Sequence, residues 1–310
     1  MTPPRPVPEA APGGLLARLD GPAMAMGLVF ALLWSSAFTS AKFIVADAPP
    51  FLALSVRFAI SGLIAMAIAG AMGQSARLTR RQWVLVVVFG FCQNSLYLGL
   101  FFFAMTRIEG GFAAIIASML PLFVAAGSWA FLGDRPGRIG GLGLALGFAG
   151  VALIMGARIE GGADIPGVAL GLGATLALAV ATMVVRGVSP GGNVLMIVGL
   201  QMLVGSVTLA PVSALFEAPW AVTWSWEMLT AFAYTALGPG VIGMLIWFTL
   251  VKRIGPTNAA AFHFLNPCFG VAVAAVLLGE RLGPRDLLGV GIVTVGILLV
   301  QLARRAPQKP

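Results

Sequence analysis

A chain of 310 residues in which 59% are hydrophobic and 10% charged, with a mean hydropathy of +0.98, carries too much apolar surface for a water-soluble fold, where about a quarter of residues are charged. Lipid is the solvent such a chain expects, and in lipid every spanning backbone group has to be satisfied inside a helix or a closed barrel. Long unbroken apolar runs such as Trp83 to Phe103 exclude the alternation of barrel strands, and the net charge of +8 sits between the runs, where it orients the chain rather than binding nucleic acid.

The Pro-rich stretch 1–22 lacks a signal-peptide arrangement, and the apolar run behind it is too long for a cleavable core, so it reads as a disordered cytoplasmic tail. Ten spans are then predicted, near 24–45, 51–72, 83–105, 110–132, 139–156, 167–188, 194–216, 228–250, 256–278 and 287–303. They fill the chain and leave no soluble domain.

The first span carries Trp34 and Phe38, candidate walls of an apolar cavity, and Lys42 near its outer end; the second carries Arg57. Either cation can snorkel to the headgroups or, turned inward, pair with a substrate carboxylate. The third span holds the run Cys92-Gln93-Asn94-Ser95-Leu96-Tyr97. Gln93 and Tyr97 are four apart and share a helix face, which serves a substrate or only a neighbouring helix. In the fourth, Pro121 frees the carbonyl of Ala117. The fifth and tenth are rich in small residues (Gly143, Gly147, Gly150, Gly289, Gly296), a signature of close helix packing at the periphery.

The connection Glu217–Glu227 carries Trp220, Trp224 and Trp226, as an interfacial aromatic belt would. Tyr234 and Trp247 of the eighth span are further candidate cavity walls, and Pro239 interrupts that span. The ninth span holds the lone histidine, His263, with Asn266 one turn on and Asn258 on an adjoining face; Pro267 frees the carbonyl of His263. A histidine in lipid either packs against another helix or faces a pathway. Carbonyls freed at cavity depth can accept a substrate ammonium, and Pro121, Pro239 and Pro267 can serve as hinges. Cys92 and Cys268 both fall inside apolar spans, so neither a disulfide framework nor a metal site is indicated.

Cations concentrate on one set of connections, with Arg77, Arg80, Arg81, Arg135, Arg138, Lys252, Arg253, Arg304 and Arg305 among them, which predicts that both termini are cytoplasmic. The chain also repeats itself. Arg107-Ile108 matches Arg253-Ile254, Ala113-Ala114 matches Ala259-Ala260, Pro121 matches Pro267, and Phe123 matches Phe269. Gly133 and Arg135 match Gly279 and Arg281, Gly143 matches Gly289, and Gly150 matches Gly296, all at a constant offset of 146. Five spans per copy is an odd number, so the second copy enters the membrane from the opposite side, and two inverted repeats result. The units are read as 23–158 and 159–304, with a short tail, 305–310.

The first-span run Trp34-Ser35-Ser36-Ala37-Phe38, the pair Arg57-Phe58, and two copies of a proline-bearing span followed by Gly-Asp-Arg or Gly-Glu-Arg resemble the drug/metabolite transporter superfamily, specifically its ten-helix EamA-type exporters. The resemblance covers roughly residues 24–303. It implies an all-α polytopic membrane protein, two inverted five-helix repeats around a central cavity, and efflux of amino acids or other metabolites, aromatic amino acids in members of the YddG type.

All eleven acidic residues fall outside the spans or at their ends. That disfavours intramembrane aspartyl protease and metal-dependent transferase chemistry, which need clustered carboxylates, and a carboxylate proton relay. No Gly-x-x-x-x-Gly-Lys-Ser/Thr run argues for an ATP-driven pump. The expectation is a bacterial inner-membrane secondary transporter of small neutral or zwitterionic apolar metabolites, without cofactor or metal, whose partners are its substrate and the bilayer. A sugar-phosphate or nucleotide-sugar carrier, with Lys42, Arg57 or Arg186 as a phosphate clamp, is the alternative within transport. From another class, a membrane-embedded enzyme or assembly factor would have only His263 to work with.

Overall fold

In the computed structural model, which describes residues 21–132, 137–160, 164–185, 193–218, 220–254, 261–279 and 283–305, the described residues form helices and short connections. Ten helical rods follow one another: α1 (Gly21–Asp47), α2 (Pro50–Ala71), α3 (Arg80–Gly90, Phe91–Leu98 and Gly99–Ala104, end to end), α4 (Gly110–Ala117 and Leu120–Leu132), α5 (Arg138–Glu160), α6 (Ile165–Val185), α7 (Val194–Phe216), α8 (Trp226–Thr235, Ala236–Gly243 and Met244–Ile254), α9 (Ala261–Leu265 and Asn266–Leu278) and α10 (Pro284–Arg305). Their ends lie within a few residues of those read from hydropathy. Six rods, α1, α2, α3, α6, α7 and α8, are each long and apolar enough to cross a membrane; α4, α5 and α10 contribute shorter apolar stretches.

Local chemistry marks the starts and stops. Pro50 sits in the first turn of α2, where the missing N–H costs nothing. Thr79 and Gln82 form a reciprocal capping box at α3, and Ser225 Oγ accepts from Met228 N at α8. Gly279, at φ +66°, ends α9 in the left-handed region that a Cβ would strain.

Packing follows a pseudo-two-fold pattern. Within each copy the first rod turns away from its own repeat: α1 packs on α8 and α9, and α6 packs on α3 and α4. The second rods, α2 and α7, pack on each other, and so do the fifth rods, α5 and α10. A Cβ on Gly296 would meet Gly143 O at 2.7 Å, and one on Gly150 would meet Gly289 O at 2.9 Å. Gly143 and Gly289 are repeat partners, as are Gly150 and Gly296, so the two contacts exchange under the symmetry, as an isologous interface requires.

The ends of α2 and α7 are clasped in the same reciprocal way. Glu217, just past α7, accepts from the backbone N–H groups of Phe51 and Leu52 in the first turn of α2, both at 2.8 Å. Gln74, just past α2, accepts from those of Leu195 and Met196 at the start of α7, at 3.0 and 3.1 Å. Each helix supplies the side chain that satisfies the other's orphan donors. The two rods are therefore antiparallel, as inversion of one copy against the other demands.

The repeat-related prolines behave differently from the expected interior kinks. Pro121 is the second residue of Leu120–Leu132 and Pro267 the second of Asn266–Leu278. In α4 the chain tightens first, with Ser118 N and Met119 N bonding three residues back to Ile115 O and Ile116 O; in α9 the 3-10 turn Ala261–Leu265 comes first. Both rods are thus broken rather than bent, and each proline opens a new helical piece, the place where it sacrifices no hydrogen bond.

Candidate functional site

Two rods leave regular α-helical winding at matching places. Phe91–Leu98 of α3 and Ala236–Gly243 of α8 are both π-helical, and the repeat offset superimposes them to within a residue. Such widened turns are rare and concentrate at functional sites. In α8 the widened stretch contains Pro239, which cannot donate to the ladder, and within it the carbonyl of Ala236 accepts from Ser61 Oγ of α2 at 3.0 Å. In α3 the widened turn directs Gln93, Asn94 and Tyr97 inward, all buried.

These turns face a hollow bounded by α1, α2, α3, α7 and α8. Seven of the residues singled out from sequence line it: Trp34, Phe38, Arg57, Gln93, Asn94, Tyr97 and Pro239. A second hollow, bounded by α1, α3, α4, α6, α8 and α9, is lined by Trp34, Gln93, Trp247 and His263 among others. The first uses later residues of α1 and α3 and the second earlier ones, so the two lie end to end along the bundle. Trp34, Gln93 and Met244 belong to both and form the partition. Each is narrow, with about 40 and 70 Å³ for the centres of waters, room for a few at ~10–15 Å³ apiece. Among the described residues, none that lines either hollow comes from α5 or α10.

Arg57 is the charged group of the first hollow. It is buried, and its guanidinium lies over the faces of Phe58, 4.6 Å from the centroid, and Phe102, at 5.7 Å. Beside it Asn94 Nδ2 donates to the backbone carbonyl and to Oε1 of Gln201, at 2.7 and 2.6 Å. Gln201, fully buried on α7 and a wall of the same hollow, is a residue the sequence reading passed over. The signal was its position as a lone amide in an apolar span.

His263 is buried in an aromatic box, edge-on to Phe30, Trp34 and Trp247 with ring centroids 5.2, 5.8 and 5.1 Å away. A polar chain holds it: Ser35 Oγ donates to Asn266 Oδ1 at 3.2 Å, and Asn266 Nδ2 lies 3.0 Å from His263 Nδ1. With Nδ1 accepting, Nε2 carries the proton.

Other expectations resolve differently. Lys42 turns neither to headgroups nor into a hollow; its Nζ donates to the carbonyls of Met105 and Ile108 at 2.7 and 2.8 Å, capping the end of α3. Arg57 does not snorkel, because neighbouring rods enclose it. Tyr234 lines neither hollow; it is 40% exposed, and its hydroxyl lies 2.5 Å from Ser36 Oγ. Ala117 is buried and lines neither hollow. Asn258, Arg186, the tail 1–20 and residues 306–310 lie outside the described residues, as do the side chains of Pro121, Pro267 and Cys268. Among the described residues no group of His, Cys, Asp or Glu could hold a metal ion.

The sequence profile of the EamA-like transporter family matches the chain twice, over residues 21–156 and 165–302. The chain is 27% identical over 275 residues to the transporter YvbV of Bacillus subtilis, covering 89% of this chain and 90% of that one. It is 25% identical to the inner membrane transporter YedA of Escherichia coli K12, covering 92% and 93%, and 25% identical to the protein PecM of Dickeya dadantii, covering 88% and 91%. A solved crystal structure superimposes with a TM-score of 0.68 at 21% identity, over 93% of this chain and 99% of its own; that likeness concerns the fold.

Proposed function

The chain belongs to the EamA-like transporter family, and from that premise we propose that it carries a small neutral or zwitterionic apolar metabolite, an amino acid foremost, across a bacterial inner membrane by alternating access. It is a multi-pass membrane transporter of small molecules and not an enzyme. The observation that carries the finer reading is the pair of narrow hollows meeting at Trp34, Gln93 and Met244, beside the two π-helical turns. A site placed at a repeat interface with a partition across it is what alternating access needs. The walls are mainly apolar, with aromatic rings in both, and no acidic residue among those described lines either hollow, so a multiply charged cation has no counter-ion there. The phosphate-ester alternative loses one member of its clamp, since Lys42 is committed to the carbonyls of Met105 and Ile108.

In this reading Trp34, Phe38, Gln93, Asn94, Tyr97, Trp247, His263 and Asn266 contact or frame the substrate. The breaks before Pro121 and Pro267 and the widened turn at Pro239 are the hinges, and both termini face the cytoplasm. Uptake of a panel of radiolabelled amino acids into proteoliposomes, with and without a proton gradient, tests it. Saturable amino-acid uptake is expected; saturable phosphate-ester transport with no amino-acid uptake would reverse the assignment.

A further inference from the structure

Charge in lipid is expensive, and a charge placed there without a partner points to something absent. Arg57 lies seven residues beyond Pro50, about 10 Å along α2, and is 5% exposed. Among the described residues its Nε has no hydrogen-bond partner, no ion pair reaches it, and no Asp or Glu lines the hollow beside it. The faces of Phe58 and Phe102 fix the guanidinium and soften its burial without satisfying its fork of donors.

A second orphan donor belongs to another wall of the same space, Gln201. The backbone carbonyl of Gln201 fixes Asn94 with Nδ2 toward α7, and Asn94 in turn fixes Gln201 with Oε1 toward α3. That leaves Gln201 Nε2 buried and without an acceptor. Two side chains with unpaired donors, one of them charged, thus line a cavity whose other walls include Trp34, Phe38 and Phe101.

We propose that Arg57 and Gln201 form a carboxylate subsite, so that the transported molecule is an apolar carboxylate recognised through its acid group and not through an amino group. The inference rests on the transporter reading and makes a carboxylate, in a zwitterion or a monoanion, the group that is recognised. A carboxylate accepts the planar fork in two parallel bonds and has lone pairs left for an amide. Opposite charge is the only partner that offsets burial of this arginine, whereas the hollow offers an ammonium neutral groups alone. Amino acids then qualify as a subset, and their des-amino analogues qualify equally.

Ligand-induced thermal stabilisation of the purified full chain tests this, with phenylalanine, leucine, 3-phenylpropionate, 4-methylpentanoate, 2-phenylethylamine and phenylalaninamide as probes, alongside counterflow in proteoliposomes. At least one matched pair of amino acid and des-amino acid should stabilise the wild type with affinities within a few-fold of each other, and the amine and amide should not. Arg57→Met and Gln201→Leu should weaken the acids at least tenfold and about three- to tenfold. Arg57→Lys, which keeps the charge and loses the fork, should fall between wild type and Arg57→Met.

Arg57→Met also removes an unpaired buried charge, so without ligand it should melt at or above the wild-type temperature. A merely structural arginine would lower it. Binding of the acids by Arg57→Met within twofold of wild type, or equal binding of amine and acid, overturns the subsite and leaves the transport reading intact. Absence of amino-acid counterflow with Arg57-dependent binding of 3-phenylpropionate overturns the amino-acid reading and supports the subsite. Failure of every acid to bind overturns the subsite.

Discussion

Gly205→Ala puts the cavity wall to its hardest test. A Cβ at Gly205 of α7 would lie 2.4 Å from Asn94 Cβ and 3.1 Å from Phe58 Cδ2. Carbon atoms settle at roughly 3.5 Å, so α3 and α7 have to part by about 1 Å there, since a Cβ cannot rotate away from its own backbone. The bonds from Asn94 Nδ2 to Gln201, now 2.6 and 2.7 Å, would stretch to about 3.6 Å, beyond the range of a hydrogen bond. Overpacking of this kind costs about 1–3 kcal/mol, and two polar contacts in a membrane interior add roughly 1 kcal/mol at the ~0.6 kcal/mol average for each. At ~1.5 °C per kcal/mol for a chain of this length, the melting temperature of the detergent-purified protein should fall by roughly 3–6 °C. Substrate affinity should fall with it, because Gln201 loses the partner that orients it. Gly141→Ala is the control, since a Cβ there meets nothing within 4 Å, and it should melt at or above wild type. A Gly205→Ala variant that melts like the control would refute the wall as described.

Glu217→Ala removes a charged cap from the first turn of α2 and should cost about 1–2 kcal/mol; Gln74→Ala removes a neutral one from α7 and should cost about 1 kcal/mol. Denaturation in mixed micelles reads both, and the reciprocal clasp is wrong if neither shifts the transition. Lys42→Met should lower the melting temperature, through loss of the cap on the end of α3, while leaving the ranking of transported substrates unchanged; an altered ranking would place Lys42 in the pathway after all. Under the proposed function, His263→Ala should weaken transport without unfolding the protein, and Pro121→Ala and Pro267→Ala should slow turnover more than they weaken binding, by extending a helix back through its break. Near-normal exchange by all three variants would reduce the aromatic box and the breaks to packing.

The spans, the duplication and most of one cavity were legible because they depend on local quantities. Twenty-odd apolar residues make a span whatever surrounds them, and a constant offset of 146 between Gly, Pro and Arg positions is a property of the string. Rotation about each helix axis is a different matter. Lys42 and Arg57 looked alike, long cations toward the outer ends of their spans, yet one caps the end of α3 and the other is enclosed beside Phe58 and Phe102. Their fates are set by which rods lie alongside, and α1 leaves its own repeat to pack on α8 and α9. Tyr234 failed for the same reason: aromatic character was read correctly, the face it occupies was not. Gln201 was visible as a polar residue in an apolar span, but its orphaned donor arises from Asn94, 107 residues away in the chain.

The duplication governs the backbone and stops short of the chemistry. Adding the offset of 146 carries Arg57 onto Leu203, Gln93 and Asn94 onto Pro239 and Gly240, and Tyr97 onto Gly243. Matching π-helical turns therefore present hydrogen-bonding side chains from α3 and a proline between glycines from α8. The donors that face the first hollow can converge because the opposite wall has almost no side chain there. Had both copies kept their amides, the space would be filled; had both kept glycine, nothing would orient a ligand. In the ninth rod the balance reverses, since His263 and Asn266 correspond to Ala117 and Leu120. The first copy thus supplies Arg57, Gln93, Asn94 and Tyr97 at one end of the bundle and the second supplies His263 and Asn266 at the other, with Gln201 of the second copy joining the first group and Trp34 lying between. Inversion of a symmetric scaffold gives two states of comparable geometry, and the unequal side chains give one hollow the buried arginine of the proposed carboxylate site and the other an aromatic box around His263.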